Sequence, residues 1–112
     1  MELYILQVPD CPNAAVLDSR LAPLLAGRDD IRVTRHVVTD DGAAERLGMA
    51  GSPTLLVDGR DPFARPGQRP SFSCRRYPDD DGRPGPAPTI RQLRRMLAGG
   101  RPPGPAAADY PN

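Results

Sequence analysis

The sequence predicts a single α/β domain whose elements follow the order β-α-β-α-β-β-α, ending in a tail without periodicity. Three observations carry this. Apolar runs of strand length near residues 2–8, 31–38 and 51–59 are separated by stretches with helical spacing. The chain has 112 residues and a mass of 12.1 kDa, enough for one core and too little for two. Its 15 Pro and 11 Gly lie mostly in the second half: residues 1–58 hold four of each, and residues 59–112 hold eleven Pro and seven Gly. The first half is therefore free to pack.

Each element has a local cause. Residues 2–8 are apolar and aromatic and stop at Pro9-Asp10, as a buried strand would. From Pro12 to Ala26, Leu17, Leu21, Leu24 and Leu25 recur at helical spacing. Pro12 suits a first turn, where its missing amide hydrogen costs nothing, and Pro23 is expected to kink or shorten the last turns. Ile31 to Val38 alternates as a strand near a sheet edge, with Ile31, Val33 and Val37 on one face and Arg32, Thr34 and His36 on the other. Asp40-Asp41 caps a short helix through Ala43, Ala44 and Leu47, which Gly48 closes. Gly51 to Gly59 is a third strand entered through Pro53 and left by an Asp-Gly turn. The proline-rich loop 60–70 leads to a short strand, Ser71 to Tyr77, and a second loop, 78–88, leads to the last helix. There Thr89 and Gln92 form a capping box, and Ile90, Leu93 and Leu97 form the buried stripe. A domain over residues 1–98 is expected, with residues 99–112 as a disordered Pro, Gly and Ala tail.

Fifteen basic residues, all Arg, against 14 acidic ones leave a net charge of +1. That balance argues against a nucleic-acid partner, and the all-arginine usage is attributed to coding bias. The first residues contain neither a basic leader nor a long apolar run, so no membrane partner and a cytoplasmic location are expected. Two cysteines in such a compartment suggest chemistry or simple burial more than a permanent bridge.

Cys11 opens the first helix, where the macrodipole and unpaired amides favour a thiolate nucleophile. The alternative is a buried small hydrophobe. No second cysteine follows within the turn, which reads Cys11-Pro12-Asn13-Ala14, so the ordinary dithiol mechanism is excluded. Cys74 is the one remaining partner, either as a resolving thiol or merely packed beside Phe72. Strand parity puts Phe72, Cys74 and Arg76 on one face and Ser73, Arg75 and Tyr77 on the other. Arg75 and Arg76 suit an anionic substrate or a solvated face. His36 is assigned to the surface.

The element order, Cys11-Pro12 opening the first helix and Gly51-Ser52-Pro53-Thr54 opening the third strand together resemble the thioredoxin fold. The resemblance implies a four-stranded mixed sheet and a cis peptide before Pro53, facing the thiol. Cys11-Pro12-Asn13, the run from Gly51 to Phe63, and Cys74-Arg75-Arg76-Tyr77 further resemble small bacterial thioredoxin-like proteins of the DF (seleno)protein or alkylmercury-lyase-like group. This implies a thiol redox or thiol-transfer protein with Cys11 and Cys74 as catalytic residues. Asn13, Ser52, Pro53, Arg75 and Tyr77 would line the substrate. Its partners would be a small-molecule substrate, an oxidant or a thiol reductant, and no cofactor is called for. In the lyase-like alternative Cys11 and Cys74 hold a soft metal ion. There the acid that protonates the leaving carbon is missing, because Ala14 stands in its place, with Asp10 or Asp18 as substitutes. A third alternative is a non-catalytic interaction module.

Overall fold

The computed structural model describes residues 1–99 as a mixed α/β fold with three helices. The tail expected from residue 99 onward lies outside the described residues apart from Gly99. Strand β1 (Glu2–Gln7) leads through Pro9 and Asp10 into helix α1 (Pro12–Leu25), then into β2 (Arg32–Val37) and helix α2 (Asp41–Leu47). The third expected strand is two, β3 (Ala50–Ser52) and β4 (Thr54–Val57), divided at Pro53, whose peptide bond with Ser52 is cis. After the 60–70 loop come β5 (Ser71–Cys74), β6 (Tyr77–Pro78), β7 (Pro84–Gly85) and helix α3 (Ile90–Leu97).

The main sheet has the order β2-β1-β4, with β1 parallel to β2 and antiparallel to β4. Leu3 and Ile5 on one face of β1 meet Leu17 and Leu21 of α1, Leu55 of β4, and Leu93, Met96 and Leu97 of α3. Leu6, from the other face, packs with Val38, Ala44 of α2 and Met49. Helices therefore cover both faces. Each fully buried aliphatic side chain in these clusters contributes roughly 1.5–3 kcal/mol.

The expected four-stranded sheet does not form. Instead β5 runs parallel to β3, and β6 pairs with β7, giving two separate two-stranded ladders. The reason lies at the end of β4. Asp58 and Gly59, both at positive φ, make a two-residue turn that brings Arg60 back to Val57, and this is a single isolated bridge. Asp61 then turns away and Pro62, Pro66 and Pro70 supply no amide donors, so the returning chain cannot extend a ladder along β4.

Val33 and Val37 are 41% and 55% exposed, because β2 is the sheet edge and the helices lie over its neighbours. One local expectation, that Ile90 joins the buried stripe of the last helix, is corrected. Ile90 and Leu47 are also exposed, and Met96 and Gln92 complete the inward stripe of α3 instead. The Arg32 and Val38 amides donate to the Met1 and Gln7 carbonyls, so by strand alternation the amides of Val33, Arg35 and Val37 point away from the sheet. Pro23 remains inside α1, which ends two residues later. The Thr89–Gln92 capping box is present, as is the Asp40 cap, whose carboxylate accepts from Ala43 at 2.7 Å.

Candidate functional site

Cys11 is the N-cap of α1, with φ −71° and ψ 114°, and its thiol makes no capping hydrogen bond. Pro12 occupies the first helical position, and the preceding Asp10 is held at φ 54°, a left-handed conformation that costs a non-glycine residue energy. That turn places Cys11 at the floor of a groove of about 460 Å³. The thiol residue itself is only 6% exposed.

The groove runs between the face of α1 that carries Cys11, Ala14 and Asp18 and the sheet edge that carries Gln7, Arg35 and Val37. Arg35 spans it, donating to Asp18 Oδ1 at 2.7 Å and to Gln7 Oε1 at 2.8 Å. Both side chains of that ion pair remain more than a third exposed, so the contact organises the groove wall and adds little stability. Sequence reasoning passed over Arg35. The signal was available: it shares strand parity with Val33 and Val37, and hence the face toward α1.

The other candidate residues divide between two places. Ser52 is fully buried, and its hydroxyl accepts from the Val8 amide at 3.0 Å, tying the Pro53 loop to the segment before Cys11. Asn13 is half-buried in the first turn of α1 and lies outside the groove lining. Cys74 pairs in register with Ser52 across β3 and β5, but it is exposed and lines a different groove. Both cysteines are free.

Arg75 and Tyr77 are buried, at 6% and 2% exposure, in place of the solvated face considered for Arg75. The Arg75 fork donates to Asp61 Oδ2 at 2.7 Å, to Asp61 Oδ1 at 3.3 Å and to the Phe63 carbonyl at 2.9 Å. Its guanidinium lies 4.5 Å from the Tyr77 ring centroid, and the Tyr77 hydroxyl donates to the Pro53 carbonyl. Burial pushes the Tyr77 phenol up from its ordinary value; Arg75 opposes the shift and Asp61 adds to it. Asp61, which sequence reasoning missed, is thus the counter-ion that lets an arginine support the proline loop from inside. No local pattern marks it, because the partners are 14 residues apart.

Among the described residues no group of three or more His, Cys, Asp or Glu side chains is placed to hold a metal ion. No helix among them is long and apolar enough to cross a membrane. Comparison with known proteins returns no matching family model, no matching curated protein and no matching solved structure.

Proposed function

We propose that this chain is a thioredoxin-like thiol protein that carries out one-thiol exchange at Cys11. The β2-β1-β4 order, a helix begun by cysteine directly after β1, and a proline at the entry to β4 all support the fold reading. The observation that carries the function is the Cys11 thiol itself: free, uncommitted to capping, and set at the floor of a groove walled by Arg35. In the exchange, the Cys11 thiolate attacks one sulfur of a disulfide substrate. The substrate's S–S bond breaks, a mixed disulfide forms, and the other half leaves as a thiolate. An external thiol then attacks the mixed disulfide and returns Cys11 to its thiolate form. An external resolving thiol is favoured because Cys11 and Cys74 do not share a groove, which also counts against a two-thiolate soft-metal site.

Alkylation with peptide mapping tests this reading. Cys11 should react faster than free cysteine at neutral pH despite its burial. A rate at or below that of free cysteine would remove the catalytic reading and leave an interaction module. After mild oxidation with a small disulfide, peptide mapping should show an added thiol on Cys11. Loss of two hydrogens would instead assign Cys74 as the resolving thiol.

A further inference from the structure

The groove at Cys74 is separate from the Cys11 site and has a different chemistry. It encloses about 280 Å³ between β5 and the 60–70 loop. Arg65, Arg69, Arg75 and Arg76 line it together with Cys74, and among the described residues no acidic side chain does. Arg75 is neutralised by Asp61. Among the described residues Arg65, Arg69 and Arg76 form no ion pair, so three uncompensated arginines line the same groove as one exposed thiol. In a chain whose net charge is +1, this is a local concentration of charge rather than a general basicity.

The two walls are fixed to each other. Gln68 accepts from the Arg65 amide at 2.9 Å and donates to the Ala50 carbonyl at 3.4 Å, which holds the loop against β3. The Ser71 amide bonds to the Met49 carbonyl at 2.8 Å, and Arg75 ties the Phe63 carbonyl to the far side. Like charges held together in this way repel one another, and a bound anion relieves that repulsion. Guanidinium forks suit carboxylate or phosphate oxygens.

We infer that this groove binds a small disulfide carrying two or more negative charges, and that Cys74 exchanges with it. The Cys74 thiolate attacks one ligand sulfur, the ligand S–S bond breaks, a Cys74 mixed disulfide forms, and the second half departs as a thiolate. The inference stands whether or not Cys11 is a nucleophile.

The test uses the full chain and three probes: a dianionic aromatic disulfide, dithiobis(nitrobenzoate); the neutral dithiodipyridine; and the dicationic cystamine. Rates at Cys74, assigned by peptide mapping, are divided by those of free cysteine. The dianion should be favoured over the neutral probe by about tenfold or more at ~0.01 M salt, and cystamine should be disfavoured. At ~1 M salt, where screening acts within about 3 Å, the preference should collapse. Combined replacement of the exposed Arg65→Gln, Arg69→Gln and Arg76→Gln should bring the ratios back to those of free cysteine. Ratios matching free cysteine in the unaltered protein would overturn the inference. So would a preference that survives the triple replacement, since the field would then come from elsewhere.

Discussion

Replacing Arg75 with Met keeps most of the buried stem and removes the charge, leaving the Asp61 carboxylate without its partner. The Arg75 and Asp61 side chains are only 5% and 12% exposed, and their shortest contact is 2.7 Å. Removing one member of such a pair costs about 3–5 kcal/mol, because the remaining ion has been taken out of water and nothing repays it. The Phe63 carbonyl also loses its donor, and the Tyr77 ring loses the cation 4.5 Å from its centre. Against a total stability of about 5–15 kcal/mol, this is a large fraction. With a urea slope of about 2 kcal/mol per molar, the unfolding midpoint of Arg75→Met should fall by about 1.5–2.5 M. The Arg35–Asp18 pair provides an internal control: its shortest contact is also 2.7 Å, but its side chains are 39% and 44% exposed. Asp18→Asn should therefore cost less than about 1 kcal/mol. Asp61→Asn combined with Arg75→Met should recover part of the loss, since it removes the stranded charge. An Arg75→Met cost no larger than that of Asp18→Asn, at an unchanged slope, would refute the argument from burial.

Three further outcomes are expected. Gly51→Ala should destabilise by more than about 2 kcal/mol in the same assay, because Gly51 sits at φ +98° and an added Cβ would lie 2.7 Å from the Arg75 Cβ. The Tyr77 phenol titrates higher in the native protein than in the unfolded chain, so its contribution is complete below about pH 10 and is lost as pH rises further. Alkaline unfolding curves of Tyr77→Phe should lack that falling limb, while stability at neutral pH drops by about 1–3 kcal/mol from the unsatisfied Pro53 carbonyl. Thr89→Ala removes the hydroxyl that accepts from the Gln92 amide at 3.1 Å and should cost about 1 kcal/mol of thermal or chemical stability.

What the sequence made legible was local. The Thr89–Gln92 capping box, the Asp40 cap and the helix start at Cys11-Pro12 each depend on residues within one turn, and each is present. The burial of Leu17 and Leu21 follows from spacing alone. What was not legible depends on partners far along the chain. Ser71–Cys74 has strand composition, but its ladder with Ala50–Ser52 is set by where the 60–70 loop delivers it. Alternation put Val33 and Val37 on one face but could not reveal that α1 and α3 pack over β1 and β4 and leave both valines exposed. The reading of the site shares this limit. Cys11 was marked by its helix, whereas the Asp61–Arg75–Tyr77 support of the proline loop required the fold.

The free edge of β2 has a consequence for self-association. A six-residue strand with outward amides and two exposed valines is a template on which another chain could lengthen the sheet. A second copy laid along it would bring its own Arg32 and Arg35 to the same border, and like charges across a forming ladder oppose the approach. Arg35 therefore serves twice: the guanidinium that walls the Cys11 groove also guards the open side of the sheet against pairing with itself.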